Sequence, residues 1–210
     1  MSDFNEKQIQ IMEAAEKLFA AKGFEGTSVR DIAETAGVNL AMISYYFGSK
    51  EKLMESLFED RTSHIFPKLE QLVKDTSITP FGKIEHLIDD YINRAQQKLM
   101  FHKILVGEQV MEKNTIISSL INDLKKKHTE LLELLIEEGQ NKGCFKEDLD
   151  IILMVNTLIG TTQQTFINQQ HYRKFNQLES MSDPEFEQFL KLKTSKHIKE
   201  LFKSILKHEA

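Results

Sequence analysis

Apolar residues recur along this 210-residue chain three and four positions apart, not in alternation, so the pattern predicts helices and no strands. Ile11, Ala15, Leu18 and Phe19 form one stripe of a helix over residues 5–22, which Gly23 stops. A second helix starts at Thr27 or Ser28, where Ser28-Val29-Arg30-Asp31 has capping-box spacing. It buries Val29, Ile32, Ala33 and Ala36 and ends at Gly37. A third follows Asn39, a good N-cap, and ends near Phe47-Gly48, and a fourth begins at Ser49. Longer helices are predicted over 81–97, 101–111, 116–138 and 148–169. The last begins with Asp183 as cap and Pro184 at its first position. The polar stretch 171–182 reads as a loop. The expected fold is all-α with about nine helices.

Residues 32–47 carry the most specific signal. Two helices joined by so tight a turn can cross steeply only where small residues meet. Ala33 is small at the crossing, Gly37 can take a positive φ, and Val38 seals the turn. Ile32, Ala36, Ile43 and Tyr46 then share a core. This is the pattern of a helix-turn-helix, whose second helix enters the DNA major groove.

Phe19, Gly23-Phe24, Thr27-Ser28, Ile32-Ala33, Ala36-Gly37-Val38, Tyr46-Phe47, Lys50 and Leu53 together resemble the N-terminal domain of TetR-family transcriptional regulators. Glu138-Gly139-Gln140, Gly143, Phe145 and Asp148 are similar to a turn between two later helices of that family. The resemblance implies a DNA-binding domain over residues 1–47 and a regulatory and dimerisation domain over 48–210. It also implies a homodimeric, ligand-responsive repressor of a palindromic double-stranded operator. The alternative left open is a C-terminal half that answers to a protein partner or to no small ligand.

On the third helix Ile43, Tyr46 and Phe47 turn inward, which leaves Leu40, Ala41, Met42, Ser44 and Tyr45 for DNA, with Asn39 at its start. None is an arginine, so bidentate guanine readout is absent from this helix. Ala41 and Met42 suit thymine methyls. Ser44 stands where many relatives carry tyrosine, and Tyr45 is read as a phosphate contact instead. Arg30 is the candidate for a base or phosphate contact on the second helix, with Thr27, Ser28 and Lys50 as phosphate anchors at helix N-termini. The dimer face is assigned to Leu153, Thr157, Gly160, Gln164 and Ile167, facing Phe189, Ile198, Leu201, Phe202 and Ile205 of the last helix. A largely apolar effector pocket is drawn from Ile88, Tyr91, Ile92, Phe101, Ile104, Leu105, Gln109, Met154, Thr161 and Phe166.

Composition narrows the remaining classes. The lone Cys144 excludes an intrachain disulfide and a cysteine-rich zinc site. No Gly-rich phosphate loop, HExxH or nucleophile–base pair supports an enzyme, and no cofactor is expected. His86, Asp89 and Asp90 have metal-compatible spacing but read as a solvated helix face, so no metal is assigned. The longest apolar run, residues 151–155, falls far short of the ~20 needed to cross a bilayer, and residues 1–6 lack the basic start of a secretory signal. The expectation is a cytoplasmic protein that does not enter membranes.

The net charge is −5, and residues 1–55 alone hold six basic and nine acidic side chains, a balance of −3. DNA affinity must therefore come from placed amides and a few cations, not from a basic field. Binding to a random duplex at physiological salt is accordingly expected at the weak end of roughly 10⁻⁴–10⁻⁶ M in a fluorescence-anisotropy titration. A tighter constant would contradict this account.

Overall fold

The computed structural model describes residues 4–63, 65–111 and 115–207. Residues 1–3, where the start of a leader was sought, lie outside them. The described residues form eleven helices and no strand. The chain divides into two compact units, residues 1–67 with 100–125 and residues 68–99 with 126–210. This division differs from the expected boundary after residue 47.

The first unit contains α1 (Glu6–Lys22), α2 (Val29–Ala36), α3 (Leu40–Phe47), α4 (Lys50–Thr62) and most of α7 (Leu99–Met111). Each of the first four starts at a residue whose side chain accepts an amide hydrogen of the first turn: Asn5, Ser28, Asn39 and Ser49. Their apolar stripes meet in one core. Ile11, Ala15 and Phe19 of α1 join Ile32, Ala33 and Ala36 of α2, Ile43 and Phe47 of α3, and Leu53, Met54, Leu57 and Phe58 of α4. The unit runs past residue 47 because α4 and α7 share this core, and the Phe58 and Phe101 rings meet edge-on at 4.9 Å. Arg61 of α4 fixes α1 as well. Its Nη2 lies 2.6 Å from Oε2 of the buried Glu16, and its Nη1 pairs with Asp60. Burial opposes the guanidinium charge, but hydrogen bonding to Glu16 and the two carboxylate charges outweigh it and raise its pKa.

The second unit contains α6 (Pro80–Gln97), α9 (Ile151–Ile167), α10 (Gln169–Phe175), α11 (Asp183–Leu206), most of α5 (Ile65–Lys74) and the later part of α8 (Thr115–Asn141). α6, α9 and α11 pack against one another. Three features depart from the pattern-based reading. α5 was not assigned; Pro67 sits in its first turn, where a missing amide hydrogen leaves no intrahelical bond unmade. Residues 169–175 are helical, because polarity there reports exposure on every side and not loss of helix. Ser182, not Asp183, caps α11: its backbone N–H and its hydroxyl both donate to Glu185 Oε2, at 3.0 and 2.6 Å.

Gly139 near the end of α8 is required by close approach, since a Cβ there would lie 2.0 Å from the Phe145 ring. Phe145 is thereby buried, edge-on to Phe81 at 4.8 Å. Lys83, two residues after Phe81 on α6, is a buried cation. It is 1% exposed, and its ammonium donates to Val73 O and to Glu138 Oε2, both at 2.7 Å. Hydrogen bonds from Lys142 and Lys83 hold the Glu138 carboxyl below the ordinary glutamate range. The stability this contributes is present above the unfolded pKa and is lost as pH falls through the folded one. Glu138→Gln is therefore expected to lose roughly 1–3 kcal/mol at pH 7. In urea titrations the gap to the wild type should narrow as pH falls below about 4.3.

Candidate functional site

The expected reading head is the α2–α3 pair. Gly37 takes φ 62°, ψ 35°, the left-handed conformation that lets α2 stop and the chain turn at once. Its N–H and that of Val38 close the α2 carbonyls of Glu34 and Ala33, at 3.1 and 3.0 Å. Asn39 Oδ1 accepts the Ala41 N–H at 2.9 Å and starts α3. Gln10 of α1 donates to Ala36 O at 2.7 Å, which fixes the end of α2 against α1. With Ile43 and Phe47 in the core, α3 presents Leu40, Ala41, Ser44 and Tyr45 outward, with Met42 half-buried beside them. Tyr45 is 81% exposed, its ring edge-on to that of Tyr46 at 5.0 Å.

At the start of α2, Ser28 and Asp31 close a reciprocal cap, each accepting the other's backbone N–H at 3.1 Å. Those bonds from Ser28 hold the Asp31 carboxyl below its ordinary range, so a negative charge stays at this helix start. The first-turn amides of Val29 and Arg30 have no intrahelical acceptor, and the Arg30 side chain is exposed.

Two of the expected phosphate anchors are engaged inside the protein instead. Thr27 is 1% exposed, and its hydroxyl donates to Gly23 O at 2.9 Å. Lys50 donates to Phe24 O at 2.9 Å and Thr27 O at 3.0 Å, with its ammonium 4.2 Å from the Phe24 ring centroid. The reason is geometric: the turn between α1 and α2 offers carbonyls with no helical donor, and Lys50 fills them. Glu108 of α7, also buried, accepts the Phe24 N–H at 3.4 Å.

The residues expected to form one effector pocket are divided. Phe101, Ile104 and Leu105 belong to the core of the first unit, and Gln109 is exposed, accepting from Lys125. Ile88, Ile92, Met154 and Phe166 are buried in the second unit, and Thr161 is half-buried there. Only Tyr91 of the ten lines the second unit's small cavity, whose volume is about 20 Å³. Its other walls are Leu69, Leu87, Arg94, His128, Leu132, Val155, Leu158 and Ile159. The signal for α6 was in the sequence: Leu87, Tyr91 and Arg94 follow the i, i+4, i+7 rule of one helical face. Burial raises the Tyr91 pKa against a hydrogen bond with Gln163, and burial pushes Arg94 down to about 10.

Of the expected dimer residues, Leu153 and Gln164 are exposed on α9 with Gly160, while Thr157 and Ile167 are half-buried. Phe189, Leu201 and Ile205 of α11 are half-buried, but Ile198 and Phe202 are buried in their own chain, where they fill the core of the second unit. The metal-compatible carboxylates are committed to ion pairs. Asp89 accepts from Ser195 and Lys199 of α11 at 2.6 and 2.5 Å, and Asp90 pairs with Lys68 and Arg94.

A capped, tightly turned helix pair with one exposed face defines a helix-turn-helix regulator. The model of the bacterial regulatory proteins of the tetR family matches residues 11–57, and that of the YsiA-like C-terminal region matches residues 58–201. The chain belongs to the TetR family. Among relatives, the fatty acid metabolism regulator protein of Bacillus subtilis is 27% identical over 161 residues, covering 76% of this chain and 81% of the relative. The repressor KstR2 of Mycolicibacterium smegmatis is 25% identical over 153 residues, covering 73% and 74%. The fold is shared with FadR of Bacillus subtilis, solved in complex with stearoyl-CoA, at TM-score 0.68 and 24% identity over 94% of this chain and 98% of that one. It is shared equally with the ketosteroid regulator KstR2 of Mycobacterium tuberculosis, at TM-score 0.73 and 21% identity over 99% and 98%.

Lys50→Met removes the ammonium donor from two carbonyls, of which Phe24 O keeps the Thr27 N–H at 3.2 Å, and is expected to lower unfolding stability by about 1–3 kcal/mol. Chemical denaturation of the two proteins checks it; equal midpoints and slopes would show that water replaces the ammonium without loss.

Proposed function

We propose that this chain is a homodimeric repressor that reads a palindromic operator with α3 and is released by a small, largely apolar effector held in its second unit. The observation that carries the DNA reading is the outward row Leu40, Ala41, Ser44 and Tyr45 on a helix fixed from behind by the core. Direct readout then rests on thymine methyls against Ala41 and Met42 and on the Ser44 hydroxyl. Phosphates are met by Tyr45, Asn39, Ser28, the first-turn amides of α2 and Arg30. Lys50 and Thr27 act behind this face and hold the α1–α2 turn in place. Such a regulator works in the cytoplasm, where the bacterial chromosome lies.

The dimer reading is supported by the exposed stripe Leu153, Gly160 and Gln164 of α9, extended by Ile152 at 55% exposure and bordered by Thr157 and Ile167. Phe189, Leu201 and Ile205 supply the α11 side. The effector reading is supported by the relatives, one regulating fatty acid metabolism and one solved with stearoyl-CoA, and by a buried cavity with mostly apolar walls. Effector binding would shift the population between two dimer geometries that space the reading heads differently.

Selection of duplexes from a random library, followed by footprinting, is expected to return two half-sites centred roughly 34 Å apart. Tyr45→Ala should weaken that complex about tenfold, equivalent to ~1.4 kcal/mol. Light scattering at micromolar concentration should give the dimer mass. A monomer that protects a single half-site would overturn the reading.

A further inference from the structure

We propose that the effector ends in an anionic head, a carboxylate on an apolar body, and that Arg94 receives that head. This inference rests on the reading of the second unit as the effector-binding part. The cavity there has walls of Leu69, Leu87, Leu132, Val155, Leu158 and Ile159, and none of its nine lining residues is acidic. Into this apolar surround the sequence places a permanent cation. The Arg94 side chain is 16% exposed. A half-buried guanidinium against an apolar wall is stabilised by a charge partner.

The partner in this structure is shared. Nη1 of Arg94 pairs with Asp90 one turn before it on α6, and the same carboxylate lies 2.6 Å from the Lys68 ammonium. Two cations therefore meet one carboxylate: Lys68 reaches it from solvent, with its side chain 70% exposed, and Arg94 from the side of the apolar wall, so Arg94 holds only a share of that charge. The guanidinium fork is matched in geometry by a second carboxylate, taken bidentately, more closely than by a neutral carbonyl or hydroxyl. Burial also pushes Arg94 down to about 10, the expected sign for a cation whose compensation is incomplete. A cavity of about 20 Å³ holds one water, so an apolar tail must part the surrounding leucines as it enters. A ligand that also neutralises Arg94 offsets that opening.

Decanoate, methyl decanoate and decanoyl-CoA distinguish a free carboxylate from a neutral head and from a thioester whose charge lies far from the acyl end. Each is titrated calorimetrically into the full chain and into Arg94→Met and Arg94→Lys, with circular dichroism confirming that the variants fold. Decanoate is expected to bind the wild type at least about tenfold more tightly than methyl decanoate. Arg94→Met should abolish that preference while retaining methyl decanoate binding, and Arg94→Lys should retain part of it. Equal affinity for the acid and its ester, or an unchanged preference in Arg94→Met, would overturn the proposal. Binding of decanoyl-CoA without decanoate would overturn it while leaving the effector reading intact. Binding of none of the three, with the operator complex unaffected by each, would overturn the effector reading and this inference with it.

Discussion

The first unit depends on how one residue, Phe24, is held. Its ring is 1% exposed and lies 5.3 Å from that of Phe19. Its N–H donates to Glu108, its carbonyl accepts from Lys50, and the Lys50 ammonium sits over its face. A turn between two helices leaves backbone groups that neither helix can satisfy. Here α4 and α7 supply a donor and an acceptor to the same peptide neighbourhood. The start of α2 is fixed by that arrangement, and α3 follows through the Gly37 turn.

Much of this was legible beforehand, for reasons that differ by element. The three N-terminal helices announce themselves through caps and glycines, which act locally and need no knowledge of the fold. The inward set of α2 and α3 follows from periodicity alone. The role of Lys50 was not legible, because its partners are backbone carbonyls of a turn some two dozen residues away and carbonyls leave no trace in side-chain identity. Thr27 misled for a related reason: a hydroxyl at a helix start serves equally well facing a phosphate or facing Gly23 O. The expected effector residues formed a mostly apolar set, with Gln109 and Thr161 among them, and apolar character could not separate the cores of two units. Arg94 was passed over for the same reason, although a cation on the Leu87–Tyr91 face was the visible anomaly.

Electrostatics divides the molecule's work. Charged groups that stabilise the fold are paired or nearly so: Arg61 with Glu16 and Asp60, Lys83 with Glu138, Asp89 with Lys199. The DNA face carries few charges, and Asp31 places a negative one at the start of α2. In the proposed operator complex, association would therefore rest on shape and short-range donors and gain little from long-range steering.

The smallness of the second unit's cavity bears on how often it stands open. Side chains around a space the size of one water are in van der Waals contact over most of their surface, so the closed packing is itself a stable state. If the effector is held there, as proposed, it would enter only in the fraction of time that Leu69, Leu132 and Leu158 stand apart, and its apparent dissociation constant would be its intrinsic one divided by that fraction. Packing density then sets a concentration threshold. On that reading, trimming a wall side chain would raise the open fraction and lower the effector concentration at which the regulator responds.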